Sequence, residues 1–380
     1  MRICRLPEGQ FAAIVLGVLA SFAIPAFAET PTTSLEAHSL PPLLDREDLR
    51  LEDVALRPDG VVLATDGKEH LVFVPDQIKA DSGSAAAAAQ AQRPRGTMHV
   101  TINRYFSPSP LRLTTNGSRA LLADQWIDLD QQRLLFQLHL AETYVRSPHP
   151  QPLDLSPDGQ QALLLVRSFH AADLNALAMF NLETGRPTHH FVVGDSLAGA
   201  AFAGEGQLAL VHRSGRITLA DFQGREVATL RQADVEQPLE GDFVLDCQIV
   251  HREEGSYLLV HDLAGVVVID LRRSQRVLEL EKQDLVLLDH SGQYLIIRPL
   301  PRHIKSVPPP PLEVRRLPQG EVIAHISGLG WLDVEIADLH AHRLYSVEGL
   351  QTLRPWRVEW DDSATSQREG SSDQAREGSQ

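Results

Sequence analysis

Sixteen histidines in a chain of 380 residues raise the question of a metal site. Imidazole nitrogens are common ligands, but a site needs three or four donors that converge. Two close pairs occur, His189-His190 and His340-x-His342. In an extended strand, neighbours point to opposite faces while residues two apart share one. His340 and His342 could therefore chelate together, whereas His189 and His190 could not. No further histidine or carboxylate stands at ligand spacing, and neither His-Glu-x-x-His nor Cys-x-x-Cys occurs. Covalent and cofactor chemistry is no better served: there is no Gly-x-Ser-x-Gly, no phosphate-cradling glycine loop and no Cys-x-x-Cys-His. Cys247 sits in an apolar stretch without positive neighbours, which is the setting of an inert buried thiol.

The residues best placed to recognise something lie on two interruptions of an otherwise regular pattern. The segment 167–175 brings together Arg167, Phe169, His170 and Asp173: a cation, an aromatic ring, an imidazole and a carboxylate. The segment 298–312 carries Arg302, His303 and Lys305, followed by Pro308, Pro309, Pro310 and Pro311. Proline cannot donate a ladder bond, so this run is expected to be an extended polyproline-type loop, which costs little to order on binding. Both segments fall at the same point of a repeating unit and are expected on one face, where they would draw an anionic or acidic partner.

Positioning those loops requires a scaffold, and the turns of the sequence reveal it. Tight polar turns end at Gly60, Gly117, Gly159, Gly206, Gly255 and Gly292. Proline or an Asx residue sets up several of these turns, and glycine takes the positive φ. A second turn follows in each unit, where an apolar strand ends in a polar residue and restarts with aliphatic ones. Examples are Trp126-Ile-Asp-Leu-Asp, Met179-Phe-Asn-Leu-Glu-Thr-Gly and Val268-Ile-Asp-Leu-Arg-Arg. The stretches Leu210–Asp221 and Leu259–Asp270 align without gaps and place His212 and His261 at one repeat position, which points to repeated packing. Short strands with two turn types at a period of roughly 40–50 residues mark the blades of a propeller. Seven units are expected, starting near Val54, Leu111, Leu153, Ala198, Phe243, Leu285 and Trp331. The fold class expected is all-β: a seven-bladed β-propeller of four-stranded antiparallel blades.

Ser156-Pro-Asp-Gly followed by a strand and then Leu182-Glu-Thr-Gly-Arg resembles the WD40-like and YVTN-type bacterial propellers. That resemblance covers roughly residues 45–360 and implies a blade architecture rather than an activity. A tryptophan in every unit, as quinone-binding propellers have, is lacking: Trp126, Trp331, Trp356 and Trp360 are unevenly spread.

The remaining boundaries follow from composition. Residues 1–28 read as a signal peptide: Arg2 and Arg5, an apolar run 11–24, and Ala26-Phe27-Ala28 before the cleavage point. Export places the mature chain in the periplasm or outside the cell. With Cys4 removed, Cys247 stands alone and forms no internal disulfide. Residues 29–44 are expected as a flexible lead, 45–360 as the propeller and 361–380 as a disordered tail. Within the first unit, 80–96 is an alanine-rich insertion. The net charge of −15 excludes a nucleic-acid backbone as the natural partner. No segment of the mature chain is apolar for long enough to span a bilayer. The reading is a non-catalytic periplasmic platform with a protein partner in a cell-envelope complex; the cofactor is left open, with none supported by a motif and a divalent metal possible. Two rivals stand beside it. One is a lactonase-like hydrolase with a divalent metal in the central channel. The other is a small-molecule or glycan sensor.

Overall fold

A computed structural model describes residues 32–359, apart from 47–48, 67–68, 76–95, 101–109, 140–149, 168–174, 194–196, 233–243, 253–254, 282, 300–308 and 331–333. Residues 1–28, read as a signal peptide, and 361–380, read as a tail, lie outside the described residues, as does most of the alanine-rich insertion. Every regular element described is a β-strand. No helix among the described residues is long and apolar enough to cross a membrane.

Five sheets have four antiparallel strands each. The first is Asp53–Leu56 (β3), Val61–Thr65 (β4), His70–Pro75 (β5) and Gly96–His99 (β6), and it is preceded in the chain by Thr33–Ser39 (β1) and Leu44–Asp45 (β2). The second is Leu111–Leu113 (β7), Arg119–Leu122 (β8), Gln125–Asp128 (β9) and Arg133–Gln137 (β10). The third is Pro150–Leu155 (β11), Gln161–Arg167 (β12), Asn175–Asn181 (β13) and Pro187–Val193 (β14). The fourth is Leu197–Ala203 (β15), Gln207–His212 (β16), Ile217–Asp221 (β17) and Glu226–Arg231 (β18). The fifth is Val244–His251 (β19), Ser256–Asp262 (β20), Gly265–Asp270 (β21) and Gln275–Glu281 (β22).

The rest of the chain forms one sheet of nine strands instead of two separate blades. It contains Gln283–Leu288 (β23), Tyr294–Pro299 (β24), Leu312–Arg316 (β25) and Glu321–Ser327 (β26), then Val334–Asp338 (β27), Arg343–Glu348 (β28) and Thr352–Val358 (β29). Strand β1 joins the two groups. Its first half pairs in parallel with β26, Leu35 opposite Ile326. Its second half pairs antiparallel with β29, Ala37 opposite Val358. Strand β2 continues along β29, Leu44 opposite Leu353. The lead expected to be flexible thus includes structural strands. Leu35 and Ala37 are buried among Ile326, Val334, Trp356 and Val358, which gives an otherwise polar stretch its reason to pair.

The sheets are arranged as a propeller. Each first strand touches the next, in the order β3, β7, β11, β15, β19, β23, β27, and β27 touches β3 again. Apolar clusters fill the spaces between them. One packs Leu63, Leu71 and Phe73 of the first sheet against Leu111, Leu122 and Ile127 of the second. Another packs Val62, Ala64 and Val72 against Ile336, Tyr345 and Leu353, so the last strands cover the first sheet. A blade is apolar on both faces and each neighbour buries one of them, so the stack is stable only as a circuit.

The turns behave as their chemistry requires. Asn116 Oδ1 accepts from Ser118 N at 3.1 Å, and Asp158 Oδ1 accepts from Gln160 N at 3.0 Å. Gly117 closes its turn at φ +67°, where an added Cβ would lie 2.5 Å from Pro58. In the second turn type, Asn181 Oδ1 accepts from Glu183 N and Thr184 N, and Asp221 Oδ1 accepts from Gln223 N and Arg225 N. In these turns the polar residue that ends the strand caps the turn that follows. The expected starts Val54, Leu111, Leu153, Ala198 and Leu285 fall on β3, β7, β11, β15 and β23, while Phe243 and Trp331 lie outside the described residues.

Candidate functional site

A ring of first strands leaves a hole along its axis. Here it is a channel of about 620 Å³, to which β3, β7, β11, β15, β19, β23 and β27 all contribute. Its wall is held by side chains that reach from one sheet to the next. Asp53 Oδ2 accepts from Leu111 N at 2.6 Å, and Arg112 Nε donates to Leu153 O at 2.8 Å. Asp154 Oδ2 accepts from Phe202 N at 2.8 Å. Gln248 Oε1 accepts from Leu288 N at 2.9 Å, and Asp289 Oδ1 accepts from Leu339 N at 2.8 Å. The first strand of a blade has no partner on its inner edge, so its backbone groups need such side-chain brackets.

Asp154 is the most heavily used of these. Besides Phe202 N, it accepts from Leu155 N at 2.8 Å and lies 3.0 Å from His251 Nε2. One carboxylate therefore ties the third, fourth and fifth sheets. Asp154 and His251 are both buried. Next to His251, Arg252 donates Nε to His290 O at 3.0 Å and sets Nη2 3.1 Å from His290 Nδ1.

Charge is concentrated where the first strands begin. Glu52, Asp53, Arg112, Asp246 and Glu335 line this end, with Gln151 between them. Burial pushes the Asp53 carboxyl above its ordinary value, against the pull of the Leu111 amide and Arg112, and Asp246 adds to the rise. Cys247 lies among them, its thiol pushed up to about 12, chiefly by burial and then by Asp246. At neutral pH it is an unreactive thiol, as its apolar neighbourhood suggested. A Cβ on Gly199 would stand 3.1 Å from its sulfur, so the glycine makes the room that Cys247 occupies.

The residues singled out from sequence are placed differently. Arg167 is the last residue of β12, and the connection it opens leads to β13. Phe169, His170 and Asp173 lie outside the described residues, as do Arg302, His303, Lys305 and Pro308. Pro309 and Pro310 are half-buried and Pro311 is exposed just before β25. The first segment joins β12 to β13 and the second joins β24 to β25. His340 and His342 are not on a strand: they sit in the turn between β27 and β28, with His342 at φ +57°, so the geometry assumed for chelation is not met. His189 is half-buried against Phe222 and its neighbour His190 is exposed, so the two point apart. His212 and His261 are both buried at the ends of second strands. Among the described residues no three of His, Cys, Asp and Glu converge as a metal site.

Sequence reasoning did not find Asp53, Arg112, Asp154, Asp246 or His251. Their signal was present: in several units one charged residue interrupts the apolar start of the first strand. No protein-family model matches the chain, and no curated protein matches it.

Proposed function

We propose that the chain is an exported propeller of seven blades that serves as a non-catalytic protein-interaction platform in the cell envelope. On this count β23–β26 form the sixth blade. The seventh is β27–β29 completed on its outer side by β1 and β2, the N-terminal strand closing the ring. The turn chemistry is that of WD40-like or YVTN-type repeats.

The observation that carries the platform reading is the division of connections between two faces. When every blade is threaded alike, connections from first to second and third to fourth strands share one face, and the others share the opposite one. The first face is made of short turns, several of them capped by their own Asp or Asn side chains, with 76–95 the exception in length. The longer connections 100–110, 138–149, 232–243 and 300–311 all belong to the other. Rigid scaffolds carry recognition on such loops; the segment with Pro308–Pro311 is one of them, and the connection that Arg167 opens, 168–174, belongs to the same face.

Cross-linking in intact cells, followed by capture of the chain from envelope fractions, tests the proposal. A discrete protein partner is expected. Deleting Pro308–Pro311 should weaken its capture while leaving the thermal midpoint within about 2 °C, since a surface loop adds little stability. Unaltered capture removes the loop from the interface. One divalent ion bound per purified chain and no partner would replace the platform with the metal-dependent hydrolase.

A further inference from the structure

Arg112, Asp246 and Asp53 face the channel without an ion-pair partner among the described residues. Arg112 makes one hydrogen bond, from Nε to Leu153 O, which fixes the guanidinium plane and leaves Nη1 and Nη2 without a partner among the described residues. Asp246 is exposed on the channel wall; its Oδ2 accepts from Gln248 Nε2 at 2.7 Å and its Oδ1 takes no donor there. Asp53 accepts one backbone N–H on each oxygen and meets no cation at contact distance among the described residues. Arg112 and Asp246 both act on the titration of Asp53 and on that of Cys247, so the three charges share one stretch of the channel.

We propose that the channel binds a small zwitterion of net positive charge, a diamino carboxylate, with its carboxylate on the two Nη groups of Arg112 and its ammonium groups on Asp246 and Asp53. The signs of these three groups match: their two carboxylates and one guanidinium face two ammoniums and one carboxylate. A guanidinium held by its Nε presents the remaining edge as a preformed fork for a carboxylate. Partly desolvated charges left apart cost free energy that a ligand bridging them recovers. The cavity of about 620 Å³ lies within the usual range of small-molecule sites, roughly 300–1,000 Å³. No Phe, Tyr or Trp is among its described lining residues, so a nucleobase or sugar lacks the large ring faces it stacks on best. The net charge of −15 favours the approach of a cationic ligand.

Isothermal titration calorimetry of the whole exported chain at low ionic strength tests this with L-lysine, 6-aminohexanoate, which lacks the α-ammonium, and cadaverine, which lacks the carboxylate. L-Lysine should bind one per chain and about tenfold more tightly than either analogue, each lost charge contact being worth about one decade. Arg112→Gln should weaken L-lysine about tenfold and leave cadaverine nearly unchanged, whereas Asp246→Asn should weaken both. Circular dichroism checks that the variants fold. Should Arg112→Gln unfold, Arg112→Lys, which keeps the charge without the fork, should still weaken L-lysine more than cadaverine. An absence of saturable L-lysine binding to the folded wild type overturns the proposal. So does L-lysine affinity unchanged by Asp246→Asn.

Discussion

Replacing Asp154 with alanine removes one side chain and strands donors in three sheets. The carboxylate accepts from Leu155 N and Phe202 N at 2.8 Å each and pairs with His251 Nε2 at 3.0 Å. It is 3% exposed, so water reaches these donors only from the channel side. A buried donor left without a partner costs about 1–3 kcal/mol, more when the lost acceptor is charged. Three such donors, partly relieved by water entering the space, give a loss of about 3–5 kcal/mol. Asp154→Asn keeps one acceptor oxygen and should lose about half as much. Urea denaturation followed by circular dichroism reads both. A double-mutant cycle with His251→Ala sharpens the test, because the double variant no longer strands the imidazole. It should cost about 1 kcal/mol less than the sum of the singles. A stability for Asp154→Ala within about 0.5 kcal/mol of wild type, or strict additivity in the cycle, would refute the view that this carboxylate ties the blades.

Two further predictions follow from the same wall and turns. Burial raises the Asp289 carboxyl above its ordinary value, although Ser291 and the Leu339 amide pull it back. The folded chain therefore holds this proton more tightly than the unfolded one. Its charged form costs stability at neutral pH, and that cost disappears as the pH falls through the raised value toward the ordinary one. Wild type should accordingly gain stability relative to Asp289→Asn between pH 7 and pH 4, and urea midpoints that diverge in the other direction would contradict this. Gly224 sits at φ +79° with an added Cβ 2.3 Å from the Phe191 ring, whereas Gly206 at φ +70° has nothing near its added Cβ. Gly206→Ala should cost about 1 kcal/mol for the backbone alone and Gly224→Ala about 2–4 kcal/mol, so equal thermal shifts would deny the packing of the third sheet on that turn.

What the sequence discloses is what is local. Asn181 and Asp221 cap turns two to four residues away, so their role is written within one short window. Strand starts are legible for the same reason, because glycine turns and apolar runs alternate along the chain. Strand β1 is not legible: only Leu35 and Ala37 among its seven residues are buried, and their partners Ile326 and Val358 stand near the other end of the chain. The channel is hidden likewise. Asp53, Arg112 and Asp246 stand in three different units, and only closure of the ring brings them to one cavity. The histidine pair 340 and 342 could chelate only on a strand, and the repeat spacing already puts His342 at the turn where the structure has it. The nine-stranded sheet escapes a repeat count because β1 serves β26 and β29 at once.

On the proposed seven-blade count, the N-terminal strand closes the circuit against the C-terminal one. Ala37 and Val358 are direct partners across β1 and β29, and both are buried in the same cluster. Facing residues of antiparallel strands have Cα atoms about 4.5–5.5 Å apart, a separation that a disulfide spans. Peptide mapping of the air-oxidised Ala37→Cys/Val358→Cys protein should therefore recover a single cross-link between positions 37 and 358. Two thiols that stay reduced in the folded protein would contradict the closure.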